Sequence, residues 1–226
     1  MATQFANGKI VTDGLVLSLN AADKNSYPGS GTTWIDTSGN GNNGTLTNGP
    51  TFSSANGGAI VFDGVDDYIT NGSLNLQQNW TLEAMCYMNS DSSFGIFGQG
   101  VFNTNQGLHI LYQNGSRGMI YGMYANDNDY QNNYRPTTGR WYHWVFTYNH
   151  STYAKQFYAD TVLQTAPASV QNQYSGTGQF NIGAIYSSAG SVANGRFAFA
   201  RMYNKVLSTT EILQNYNAQK SRFGLK

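Results

Sequence analysis

Hydrolysis of a glycosidic bond calls for two carboxylates about 5–10 Å apart, flanking the bond. This chain contains two glutamates, Glu83 and Glu211. Glu211 stands three residues after Ser208, where it completes a helix capping box instead of facing a substrate. No Glu-x-Asp-x-x-Glu run occurs, and the pair Asp127 and Asp129 falls in an Asn-rich loop. Nucleophilic chemistry is equally unsupported. No serine lies in a Gly-x-Ser-x-Gly elbow. His109 and His143 sit inside strand patterns, and His150 sits in a hairpin turn. Flanked by Trp141, Tyr142 and Trp144, His143 reads as a core histidine. The single cysteine, Cys86, lies in an apolar run and reads as a buried, inert thiol that rules out an intrachain disulfide. The expectation is a binding or structural module and no enzyme.

Two binding chemistries remain. Calcium takes six to eight oxygens from carboxylates and carbonyls. Asp36 with the loop at 38–44, and the group Asp63, Asp66 and Asp67, offer such oxygens. The competing reading is that Asp36 and Asp63 make Asx turns and that Asp66 and Asp67 cap loops. No cofactor is required; calcium is the candidate, and a structural one. Sugar recognition uses aromatic platforms and planar amides. Tyr112, Tyr121, Tyr124, Tyr130 and Tyr134, with Asn126, Asn128, Asn132 and Asn133, supply both types in one stretch. The competing reading assigns these tyrosines to sheet packing or to a subunit interface.

The elements that would position these residues are strands. Leu15, Leu17 and Leu19 alternate with Val16, Ser18 and Asn20. Residues 23–58 read as a long loop with one short strand near 45–47. Further strands are expected at 59–62, from 68, at 80–88, 108–112, 119–124, 140–148, 153–160, 179–185 and 195–203. Asn114-Gly115 between two of them predicts a type I′ hairpin. Both faces of 140–148 are apolar, so that strand should be central and covered on two sides. One helix is expected from Ser208 to about 219, its Ile212, Leu213 and Tyr216 at helical spacing.

Composition agrees. Aromatics make up 14% and charged residues 11% of the 226 residues, with a formal net charge of zero. Ample aromatic area excludes disorder, and the absence of a basic run removes electrostatic support for nucleic-acid binding. The polar stretch Met1 to Lys9 has no apolar segment of a signal peptide, and no run approaches the length of a membrane span. The Asn-x-Ser/Thr triplets at Asn43, Asn71, Asn79, Asn114 and Asn149 then read as turn chemistry.

Three stretches carry a specific resemblance. The first runs from Asp36 to Leu46 and continues with Asn48-Gly-Pro-Thr-Phe52. The second is Ile60 to Ile69, then Trp80-Thr-Leu-Glu-Ala84. The third is Gly139 to Tyr148, then Phe157-Tyr-Ala-Asp160, Phe180-Asn-Ile-Gly183, and Met202 to Ile212. In order and spacing they resemble the laminin-G-type jelly roll of the concanavalin A-like lectin/glucanase superfamily over residues 13–219. The resemblance implies an all-β sandwich of two antiparallel sheets with one short C-terminal helix, binding sugars, proteins or copies of itself, in some members with calcium. Residues 1–12 become an N-terminal arm and 220–226 a tail. The segments 13–22 and 216–225 resemble the version in tailed-phage virion proteins. They imply a virion component made in the host cytoplasm (a head decoration, fibre or tail-associated protein) that contacts itself and other virion proteins. Phe223 and Leu225, apolar and beyond the helix, are the candidate interface residues. The alternative is a carbohydrate-binding module for cell-surface glycans. Two departures weaken inherited ligand chemistry: Ala198 and Phe199 stand where the family has an acidic pair, and Asp160-Thr161 replaces its Asp-Gly turn.

Overall fold

A computed structural model describes residues 8–115, 117–125, 130–132, 134–164, 172–185 and 191–226, with residues 130–132 described by their backbone. Among the described residues sixteen strands form two antiparallel sheets, closed by one α-helix. The strands are β1 (Leu15–Asn20), β2 (Thr33–Trp34), β3 (Gly44–Thr47), β4 (Thr51–Ser53), β5 (Ala59–Asp63), β6 (Tyr68–Ser73), β7 (Trp80–Met88) and β8 (Phe94–Gly100). They continue with β9 (Gly107–Gln113), β10 (Gly118–Met123), β11 (Tyr130–Asn132), β12 (Trp141–Tyr148), β13 (Lys155–Ala159), β14 (Val162–Gln164), β15 (Gln179–Ile182) and β16 (Asn194–Tyr203), followed by α1 (Thr209–Gln219). One sheet has the order β14-β13-β12-β7-β16-β5-β4, with β1 also paired to β16; the other has the order β11-β10-β9-β8-β15-β6-β3-β2.

The period-2 pattern explains the core. On β7, Trp80, Leu82, Ala84 and Cys86 face inward, as their alternation requires. They meet Tyr142, Trp144, Phe146 and Tyr148 of β12 and, across the sandwich, Phe97, Ile110, Tyr121 and Ile182 of the second sheet. The Phe97 and Phe146 rings make an edge contact between the sheets at 6.4 Å. As expected, β12 is central and buried along its whole length. The opposite face of the first sheet is also covered. There Val145, Tyr203 and Ile212 form one small cluster, and Met85, Trp141, Phe199 and Phe223 form another.

The capping box is present: Ser208 Oγ accepts from the Glu211 amide, and Glu211 Oε2 accepts from the Ser208 amide at 2.8 Å. Other local readings need correction. The stretch 23–58 holds three short strands, because isolated Thr-rich pairs at a sheet edge carry almost no hydrophobic alternation. Register pairs Gly118 with Gln113, so Asn114 and Gly115 do not by themselves close a two-residue turn. The genuine two-residue hairpin lies between β13 and β14, where Asp160 and Thr161 both take positive φ, 49° and 73°. The turn geometry is thus kept without glycine. Among the described residues no helix is long and apolar enough to cross a membrane.

The tail is part of the fold. Residues Lys220–Phe223 form a 3-10 turn that lays Phe223 on Trp141, ring centroids 4.8 Å apart, with Leu225 packed on the same cluster. Arg222 is buried and donates to the carbonyls of Asn56 and Gly58 and to Asn20 Oδ1. Phe223 is therefore buried on this chain's own sheet, where apolar area is nearest, while Leu225 stays partly exposed at its border.

Candidate functional site

The stretch that carried the candidate sugar-binding tyrosines divides by strand face. On β10 the inward positions are Met119, Tyr121 and Met123, all in the core. The Tyr121 hydroxyl donates to the Thr147 carbonyl at 2.9 Å, and burial pushes its pKa well above the usual tyrosine value. Tyr112 on β9 is equally buried, its hydroxyl donating to Asp91 Oδ1. Neither can serve as an exposed platform. The sequence misled because their neighbours on the other face, Leu111, Ile120 and Gly122, are apolar too and leave no contrast to read. Tyr134 packs edge-on against Trp144 and Phe157, at 5.8 and 6.2 Å, and burial raises its pKa. Tyr130 and Asn132 belong to β11, whose backbone pairs with β10. Asn126, Asn128 and Asn133 lie outside the described residues.

Tyr124 is different. It follows β10, is exposed, and meets the ring of Phe102 edge-on at 5.5 Å and 80°. Phe102 is 65% exposed in the loop after β8, beside the exposed Val101. Among the exposed large hydrophobics of the described residues, these two rings are the aromatic members. Backbone bonds hold them together: the Asn105 amide donates to the Tyr124 carbonyl at 2.9 Å, and the Tyr124 amide to the Gly107 carbonyl at 2.8 Å. The loop closes on itself through the Gln106 amide and the Asn103 carbonyl, 2.9 Å, and the Ser175 amide ties it down through the Asn105 carbonyl. Within the loop Asn103 Nδ2 donates to Gln106 Oε1 at 3.5 Å, and Asn105 Oδ1 is buried with no hydrogen-bond partner among the described residues. An exposed aromatic pair on a hydrogen-bonded, amide-rich loop suits the apolar face of a sugar. Phe102 was missed from sequence; its one signal is an aromatic residue inside an otherwise amide-rich loop.

The acidic candidates divide as well. Asp36 is buried, and its carboxylate accepts four bonds: from the amides of Ser18 at 2.8 Å, Ser38 at 2.9 Å and Asn42 at 2.9 Å, and from Ser38 Oγ at 2.8 Å. The Asx turn and its loop use both oxygens, so Asp36 organises the chain and has no lone pair left for a cation. Asp63, Asp66 and Asp67 do converge, with carboxylate oxygens within 4.8 Å of one another. Asp63 Oδ1 takes the Val65 amide at 2.8 Å in an Asx turn, and Asp67 Oδ2 takes the Asp63 amide at 2.9 Å. This donor set is of the hard-oxygen type that calcium uses, though three carboxylates supply only part of its six to eight ligands.

Burial first, and then the charges of Asp63 and Asp66, raise the Asp67 carboxyl above its ordinary value. A carboxyl with a raised folded-state pKa favours the fold while protonated and loses that contribution as pH rises through the folded pKa. Asp67→Asn keeps the acceptor for the Asp63 amide and removes the charge. It is expected to raise Tm at pH 7, with the gain closing as pH falls towards about 4, the ordinary carboxylate range. Thermal melts across pH check this; a lower Tm at pH 7 contradicts it. In the same melts, millimolar calcium would stabilise the unsubstituted chain and not the Asn variant if the cluster holds the ion.

A family model described as the concanavalin A-like lectin/glucanases superfamily, of the Laminin_G_3 type, matches residues 63–213. The chain belongs to this superfamily. Solved structures share the fold of this lectin-like domain at low identity. Trypanosoma rangeli sialidase in complex with sialic acid superposes with a TM-score of 0.71 at 15% identity, over 97% of this chain and 36% of the sialidase. The domain thus spans about a third of that enzyme. Domain 4 of an extracellular arabinanase from Geobacillus stearothermophilus, in complex with arabinotriose, gives 0.73 at 17% identity, over 91% of this chain and 98% of that one. The binding domain of botulinum neurotoxin serotype D gives 0.66 at 13%, over 92% and 53%. Comparison of the sequence with curated proteins yields no match.

Proposed function

We propose that this superfamily domain is a non-catalytic glycan-binding module whose contact surface is the Phe102–Tyr124 pair on its amide-rich loop. The observation that carries the reading is the exposure of two touching aromatic rings on a loop that the backbone holds in place. The arabinanase domain of similar size and fold, solved with arabinotriose, supports it. A non-catalytic role is supported by the fate of the two glutamates. Glu83 is fully buried, and Glu211 is engaged by its capping box and by Lys205 Nζ at 2.7 Å.

A glycan array with the intact chain is expected to show selective binding. Phe102→Ala and Tyr124→Ala should each weaken it about tenfold or more, the usual consequence of removing an aromatic anchor. Unchanged binding in both variants, or release of reducing sugar by the purified chain, overturns the reading. The carrier we propose is a tailed-phage virion, which places the module where it can meet cell-surface glycans. That part is supported by the resemblance of residues 13–22 and 216–225 to virion proteins. Mass spectrometry of purified particles tests it, and absence of the chain from them contradicts it.

A further inference from the structure

A cleft of about 410 Å³ opens where the chain crosses between the two sheets, at the end of β8 opposite the Phe102–Tyr124 pair. Ser90, Ser92 and Ser93 of the β7–β8 loop line it, with Gly64 of the β5–β6 turn and with Ser191 and Asn194 at the entry to β16. All of these residues are partly exposed. The volume falls in the range of about 300–1,000 Å³ that small-molecule sites occupy.

Bonds to the body of the fold fix the walls. Asp91 Oδ1 accepts from the buried Tyr112 hydroxyl, and the Asp91 carbonyl accepts from Asn114 Nδ2 at 3.3 Å. The Asn89 amide donates to the Asn194 carbonyl at 3.1 Å, and Asn89 Nδ2 donates to Asn194 Oδ1 at 3.0 Å. Gly64, at φ 81°, keeps the facing wall open. A Cβ there would stand 2.7 Å from Asn194 Cβ and 3.2 Å from Asn194 Nδ2.

Within this frame polar groups are left over. Ser93 Oγ, Ser191 Oγ and Asn194 Nδ2 make no hydrogen bond among the described residues. Ser90 Oγ and Ser92 Oγ lie 3.0 Å apart, where one proton serves the contact and the second hydroxyl keeps its own to donate. No charged side chain and no aromatic ring lines the cleft. A carboxylate or phosphate would find no cation there, and the exposed Asp63 and Asp66 beside Gly64 repel it further. A cationic ligand would find no carboxylate in the lining. Each hydroxyl both donates and accepts, so a ring of serines matches a ligand that is itself built of hydroxyls.

We infer that this cleft is a second binding site, selective for an uncharged saccharide whose hydroxyls bond to Ser93, Ser191 and Asn194. It does not rest on the Phe102–Tyr124 reading, because the seven residues of β8, roughly 20 Å of strand, separate the two places.

Backbone amide NMR of the isotope-labelled intact chain tests this, with arabinotriose, maltotriose and mannotriose as neutral probes and trigalacturonate as the acidic one. The amides of residues 90–93 and 191–194 are expected to shift saturably with a neutral probe and not with trigalacturonate. Ser93→Ala and Ser191→Ala should each weaken that binding about threefold to tenfold, the ordinary worth of one neutral hydrogen bond. Tm should not change, since neither hydroxyl bonds to the described chain. Phe102→Ala should leave these shifts intact. Absence of the shifts with every neutral probe, an equal response to trigalacturonate, affinity unaltered in both serine variants, or loss of the shifts in Phe102→Ala overturns the inference.

Discussion

Glu83→Ala is expected to destabilise the domain by about 3–5 kcal/mol, the cost of leaving a buried charge without its partner. Glu83 lies mid-strand on β7, fully buried on the face covered by α1. One oxygen takes His143 Nε2 at 2.6 Å and Arg201 Nη1 at 3.2 Å; the other takes Asn215 Nδ2 at 3.0 Å. Asn215 extends the network to the Tyr203 hydroxyl at 2.9 Å and, through Oδ1, to the Val11 amide at 2.8 Å. One carboxylate thus joins β7, β12, β16, the helix and the N-terminal arm. Alanine strands three buried donors at once. Glu83→Gln keeps the shape but not the charge opposite Arg201, and should fall between the two.

Burial alone pushes the Glu83 carboxyl upward. The charge of Arg201 and the hydrogen bond from His143 more than offset it, and the folded-state pKa lies below the ordinary glutamate value. The linked stability is therefore present above about pH 4.3 and is lost as pH falls through the lowered folded pKa. Chemical denaturation at pH 7 and at descending pH measures both effects. A loss under about 1 kcal/mol in Glu83→Ala, or an acid limb that persists unchanged in Glu83→Gln, contradicts this account.

Gly98→Ala on β8 is expected to cost more than about 3 kcal/mol, beyond ordinary overpacking, because the obstacle is main chain. A Cβ at Gly98 would stand 1.7 Å from the Ile185 carbonyl oxygen and 2.2 Å from its carbon. At Gly95 it would stand 2.1 Å from the Ser191 carbonyl oxygen. The chain leaving β15 and the chain entering β16 cross directly over these two glycines. A side chain there must lift the crossing segment or bend a strand that pairs with β9 and β15. Gly72→Ala on β6 is the control: its added methyl meets nothing within 4 Å, so its effect should stay within about 0.5 kcal/mol. Equal denaturation midpoints for the Gly98 and Gly72 variants would show that the crossing does not constrain β8.

The same glycines explain what was hidden in the sequence. Strand β8 reads Phe-Gly-Ile-Phe-Gly-Gln-Gly, and its glycines and the register shift between Gly95 and Phe97 erase the alternation that marks β7 or β12. Glycine there is required by a neighbour distant in sequence, and no local pattern reports it. The Phe102–Tyr124 pair has the same origin. Its members are far apart in the chain, and they meet because β8, β9 and β10 are consecutive neighbours in one sheet.

Alternating apolar residues and the Ser208–Glu211 box were enough to determine the strands, the central β12 and the one helix, since each rests on local periodicity or local hydrogen bonding, while the antiparallel sandwich followed from the resemblance in segment order and spacing. Only tertiary packing decided which tyrosines face water, that Asp36 spends its oxygens on its own loop, that Phe223 and Leu225 close the sheet, and that Glu83 meets Arg201. Those outcomes depend on which face of a strand is covered and on what crosses it, and period-2 patterning carries no information about either when both faces are apolar.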